Sequence, residues 1–130
     1  MIKLTFCLRR LPHLSLAEFQ QYWRDQHGPL MEKHKVALRF VHYAQVHRIT
    51  DDIGDALGAV RGAPEPYDGI AETYWTSRAE LEAAMTNPEA RAAGRELLAD
   101  EKTFIDLPKS PIWLGEDRVC VDLPPKPDAI

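Results

Sequence analysis

Two runs of alternating apolar and polar residues, each followed by a capped helix start, constrain this chain more than any other feature. Residues 2–8 (Ile-Lys-Leu-Thr-Phe-Cys-Leu) alternate in the manner of a strand, with Leu4 and Phe6 on one side and Thr5 and Cys7 on the other. A short loop, Arg9-Arg10-Leu11-Pro12, then leads to Ser15 and Glu18, the spacing of a capping box in which hydroxyl and carboxylate each take up a free amide of the first turn. Leu14 and Phe19 have the spacing of a hydrophobic staple. The same grammar recurs later. Residues 67–75 read as a strand, with Ile70, Glu72 and Tyr74 on one face and Ala71, Thr73 and Trp75 on the other; Ser77 and Glu80 then repeat the cap.

Between these units residues 38–49 predict another strand, whose second face carries Val41, Tyr43, Gln45, His47 and Ile49. Three hydrogen-bonding groups in a row on that face are more than a plain core needs. Residues 50–66 form a long polar connection with a helical turn near 55–60, and connections of that length are often functional. Asn87-Pro88 opens a last helix, with Ala90, Ala93, Gly94, Leu97, Glu101 and Phe104 on its stripe, and residues 112–122 read as a fourth strand. The order β-α-β-β-α-β predicts an α+β, ferredoxin-like split β-α-β fold: a four-stranded antiparallel sheet with its helices on one face. One domain spans residues 1–122, and the prolines of 123–130 mark a tail that cannot continue a ladder. The bare sheet face would expose apolar side chains, so pairing into a two-fold dimer, a dimeric α+β barrel, is expected.

The first helix carries the oddity. Leu16, Phe19, Trp23, His27 and Leu30 make one stripe, and Gly28-Pro29 reads as the helix stop. The only titratable group on that stripe is an imidazole in the last turn. The helix dipole favours its charged form and burial favours the neutral one, a balance suited to proton transfer. The plainer reading is a structural histidine that caps its own helix.

A net charge of -4 and the absence of a basic run argue against nucleic acid or an anionic membrane as partner. Neither a leader peptide nor a membrane-length apolar run is seen, and Cys7 and Cys120 lack metal-ligand spacing. The expectation is a cytoplasmic protein with reduced cysteines. Glycine-rich phosphate loops, Ser or Cys nucleophile motifs and CxxC are all missing.

Leu8-Arg9-Arg10-Leu11-Pro12, with Phe19, Tyr22-Trp23 and His27-Gly28-Pro29-Leu30, resembles the signature of EthD-domain proteins. Tyr43-Ala44-Gln45-Val46-His47 and Tyr67-Asp68-Gly69-Ile70-Ala71-Glu72 resemble the family's second and third strands, and the likeness runs to about residue 122. It implies a dimeric α+β barrel. The family takes its name from an accessory component of bacterial ether degradation, and relatives on the barrel include dehydratase-like domains, polyketide cyclases, a lactone methylisomerase and quinone-forming monooxygenases. The fold alone selects no chemistry among them.

The resulting expectation is a cofactor-independent lyase, dehydratase or isomerase acting on a small aromatic or polyketide-like carbonyl compound. His27 would move the proton, Tyr43 and His47 would hold the oxygen, and Glu72 would set an imidazole tautomer. Trp23, Gln45, Tyr74 and Phe104 would line the ligand. Glu72 has a plainer reading as a salt bridge to Arg39 or Arg48, and Asp68-Gly69 reads as a turn into its strand. A metal held by His27, His47 and Glu72 is the weakest reading, so neither metal nor cofactor is expected. A non-catalytic accessory dimer that binds a ligand is the alternative from another class.

Overall fold

A computed structural model describes residues 1–127, so the last three residues of the expected tail lie outside it. Four strands, β1 (Ile2–Leu8), β2 (His42–His47), β3 (Gly69–Trp75) and β4 (Ile112–Gly115), form one sheet in the order β2-β3-β1-β4. Every neighbouring pair is antiparallel, which is the ferredoxin-like arrangement expected. The fourth strand is shorter than its sequence pattern predicts. It leaves the ladder at Gly115, and residues 116–122 run on without strand pairing.

Helix α1 (Leu16–Tyr22) starts where the capping box places it, with Ser15 and Glu18 satisfying each other's amides. Gly28-Pro29 does not end it. The helix widens into a π turn over Trp23–His27 and continues as α2 (Gly28–Lys33) and the short α3 (Lys35–Leu38). A proline inside a helix removes one donor, and its ring meets the carbonyl four residues back. Here the Gly28 amide reaches back five residues to the Trp23 carbonyl, and the widened turn lets the proline pass. The turn has a second effect. In a regular helix each i,i+4 step advances the facing direction by about 40°; the π turn takes that drift back, so Phe19, Trp23, His27 and Met31 all stay buried. The chain stops instead at Arg39, whose left-handed backbone (φ 63°) is held by a two-pronged ion pair to Glu80 at 2.7 and 2.9 Å. Glu80 is thereby diverted from its expected capping box, although Ser77 still accepts from the Glu80 amide to start α5 (Arg78–Thr86).

The connection 50–66 holds α4 (Asp52–Ala59), earlier than its sequence signal, because Asp51 caps it by accepting from the Ile53 amide. Helix α6 (Pro88–Glu101) begins at Asn87 as expected, and the chain turns away before Phe104. The core joins Leu8, Phe19, Trp23, Ala71, Phe104 and Ile105. Beneath α1, Asp68 is only 1% exposed and accepts from the Arg10 amide and from the guanidinium groups of Arg10 and Arg48. That buried carboxylate ties the β1 exit to the β3 start, which makes the turn assignment a structural one.

Gly69 follows it, and a side chain there has nowhere to go. A Cβ would lie 2.4 and 2.7 Å from the Trp23 ring and 2.9 Å from the Val46 carbonyl. Gly69→Ala is therefore expected to cost about 1–3 kcal/mol by overpacking, read as a lower urea midpoint; an unchanged midpoint would show that Trp23 does not rest on this backbone.

Candidate functional site

An apolar pocket of about 220 Å³ lies between the first helical arm, α6 and the helix-side face of the sheet. The arm contributes Trp23, His27 and Met31, α6 contributes Gly94, Leu97 and Glu101, and the sheet contributes residues such as Phe6, Tyr43, Ala71 and Thr73. The arrangement follows from periodicity: the α6 residues share one helix face, and Ala71 and Thr73 share one pleat of β3.

His27 is 4% exposed and stands on the π turn. Its Nδ1 is 2.8 Å from an Asp100 carboxylate oxygen on α6. The other Asp100 oxygen accepts from the Tyr22 hydroxyl at 2.5 Å. A carboxylate accepts only, so Nδ1 carries the proton and Nε2 bears the free lone pair. Burial pushes the imidazole below its ordinary pKa of 6.5, and the Asp100 contact offsets this only in part. His27 is thus neutral at pH 7, with a basic nitrogen that has no protein partner among the described residues.

The polar face of β2 points the same way. Gln45 donates from Nε2 to the Trp23 carbonyl (2.9 Å) and the Tyr43 hydroxyl (3.0 Å), and its Oε1 accepts from His47 Nε2 at 2.7 Å. A Cβ on Gly28 would sit 3.3 Å from the Gln45 amide, so a glycine keeps this approach open. Tyr43 lines the cavity, and burial pushes its phenol upward. Gln45 and His47 do not reach the cavity. They brace the π turn from the sheet, with the His47 ring stacked on Trp23 at 4.4 Å. His47 is therefore placed to hold Gln45, not to act as a second acid or base on a cavity ligand.

Glu72 and Tyr74 take no place beside His27. They alternate out of phase with the buried Ala71 and Thr73, which puts them on the sheet's opposite face. There Glu72 pairs with Lys3 at 2.9 Å, and Tyr74 donates to Asp117 at 2.9 Å. The tautomer role expected of Glu72 belongs to Asp100, and the ion pairs suggested to Arg39 and Arg48 are made by Glu80 and Asp68 instead. Phe104 packs behind the imidazole, 5.2 Å from His27 and 4.9 Å from Tyr22, and does not face the ligand space. Among the described residues no group of three metal-ligating side chains comes together, and His27, His47 and Glu72 are held apart.

One group at the cavity was not anticipated as functional. Glu101 carries a carboxyl without a hydrogen-bond partner among the described residues, and burial, then the neighbouring Asp100 charge, push it up to about 7. Its signal was visible, since a carboxylate stood on the otherwise apolar stripe of the last helix. Asp100 had no such signal, lying 73 residues from His27.

The sequence matches the EthD domain over residues 11–108. The chain belongs to the EthD-domain family. Solved structures of the same fold include an ethyl tert-butyl ether (EthD) family protein from Bacillus halodurans, at TM-score 0.59 and 19% identity over 91% of this chain and 99% of that one. An EthD-like protein from Ralstonia eutropha aligns at TM-score 0.56 and 18% identity, covering 92% of this chain and 94% of its own. A dimeric protein with a ferredoxin-like fold from Bacteroides fragilis aligns at TM-score 0.56 and 9% identity, over 89% and 95%. No curated protein matches this chain in sequence. Among the described residues of this EthD domain, no helix is long and apolar enough to cross a membrane.

Proposed function

We propose that this EthD-domain protein is a cofactor-independent acid–base enzyme, of dehydratase or isomerase type, acting on a small ring-bearing carbonyl compound. The observation that carries the reading is a neutral His27 whose Nε2 has no partner among the described residues and whose ring lines an apolar cavity. A cavity of roughly 150 Å³ already accepts benzene, so the space here suits a single ring with a short substituent.

His27 Nε2 takes a proton from the carbon next to the carbonyl, and the C–H electron pair moves toward the carbonyl oxygen. The Tyr43 hydroxyl, whose oxygen already accepts from Gln45, donates to that oxygen as charge builds. Asp100 stabilises the imidazolium through Nδ1–H. The proton then leaves in one of two balanced ways: onto a β-hydroxyl that departs as water, or, where a β,γ-double bond extends the enolate to a dienolate, onto its γ-carbon, which completes an isomerisation. Trp23 is the remaining ligand contact of the expected set, and it walls the cavity beside His27.

The second reading, a non-catalytic dimer that holds a ligand in a degradation pathway, is favoured by the predominantly apolar lining. Proton exchange separates the two. A panel of single-ring ketones in D₂O is expected to lose α-proton signals in the presence of the protein, and His27→Gln to slow that loss by about 100-fold or more with the fold intact. Binding without exchange in the unsubstituted protein would remove the enzyme and leave the carrier.

The same proposal places the enzyme in the cytoplasm as a homodimer joined through the sheet's outer face. Val46 is 47% exposed and Trp113 50% exposed on that face, and a sheet with such apolar residues in water is a typical association surface. Sedimentation equilibrium is expected to give twice the 14.8 kDa chain mass, and Val46→Lys with Trp113→Lys to give one chain. A single-chain mass for the unsubstituted protein would rule the dimer out.

A further inference from the structure

Among the described residues the titratable groups that line the cavity are Glu101, His27 and Tyr43, and neither lysine nor arginine lines it. A carboxylate ligand entering this space would give up part of its hydration to an apolar lining and meet no cation there, which is costly. Helix α6 adds to that bias. Glu101 follows Leu97 by one turn and Gly94 by two, so its carboxyl stands on the same wall, with no hydrogen-bond partner among the described residues. The groups that face it are Tyr43 from β2, His27 from the π turn and Asp100 from its own helix. The Asp100 oxygens are taken by His27 and Tyr22 and offer Glu101 nothing but like charge. Tyr43 lies close enough for a charged Glu101 to disfavour its phenolate.

We propose that the cavity selects uncharged ring compounds by a two-donor oxygen site, in which the Glu101 carboxylic acid and the Tyr43 hydroxyl both donate to one ligand oxygen opposite His27. A protonated carboxyl is a strong donor, and a buried one can serve as such at neutral pH. The raised Glu101 pKa supports this, because the acid form predominates up to about pH 7. Above that, the free protein must take up a proton before a neutral oxygen can bind. Burial lowers the His27 pKa and raises that of Tyr43, which moves both titrations away from that of Glu101. The inference rests on the proposed reaction only in identifying the ligand oxygen with the carbonyl whose neighbouring proton His27 removes.

Isothermal titration with acetophenone and benzoate, in two buffers of different ionisation enthalpy, tests it. Acetophenone is expected to bind without proton uptake at about pH 6 and with uptake approaching one proton at about pH 8, its affinity falling about tenfold between them. Glu101→Gln, which keeps a donor but cannot ionise, is expected to bind it with no uptake and no pH dependence. Benzoate is expected to bind the unsubstituted protein at least about tenfold more weakly than acetophenone at either pH. Absence of acetophenone binding, binding without proton uptake at the higher pH, or benzoate binding as tightly as acetophenone would each overturn the inference. The two readings fail separately: uptake without α-proton exchange retires the reaction and keeps the oxygen site, whereas exchange without uptake does the reverse.

Discussion

The wide turn at Trp23–His27 decides where every group of the site can stand. A regular helix through Gly28-Pro29 would meet the proline ring with its own carbonyl and would turn Met31 away from the buried stripe. The π turn removes both conflicts, at the cost of one regular hydrogen bond that the backbone must recover elsewhere. It recovers it from the sheet. The Trp23 carbonyl accepts from the Gly28 amide and from Gln45, and Gln45 is in turn fixed by Tyr43 and His47. Three polar residues at period two on β2 are therefore a brace for an irregular helix, and only the first of them also reaches ligand space.

Two opposed electrostatic settings then share one helix end. Asp100 makes two hydrogen bonds that point an imidazole, while Glu101, one residue on, has none among the described residues and sits under the first carboxylate's charge. Burial acts on both His27 and Glu101 in the direction of neutrality. The outcome is a base without a proton and an acid with one, facing a common apolar volume near neutral pH. Such a divergence between adjacent titratable groups is the arrangement that acid–base sites use.

Much of the fold was legible. The Ser15 box, the Asn87-Pro88 start and the alternation of Ala71, Thr73 and Trp75 are local signals, and local signals dictated the element order and so the sheet. The failures were tertiary. Gly28-Pro29 carries a stop signal that the π turn overrides, and the helix ends at Arg39 in a left-handed conformation where Glu80 reaches it from α5. Glu72 shares its pleat with Tyr74 and not with Thr73, so the period of two places it on the face away from the cavity. Asp100 depends on a contact that no spacing encodes, whereas Glu101 was on the page as a charge on an apolar stripe.

The central claim is that His27 is a neutral, Nδ1-protonated base whose Nε2 faces an apolar cavity. Long-range ¹H–¹⁵N correlation of the His27 ring across pH tests it directly. The account predicts an unprotonated Nε2 at neutral pH and a titration midpoint below the ordinary 6.5. An Nε2–H tautomer, or an imidazolium that persists at neutral pH, would contradict it.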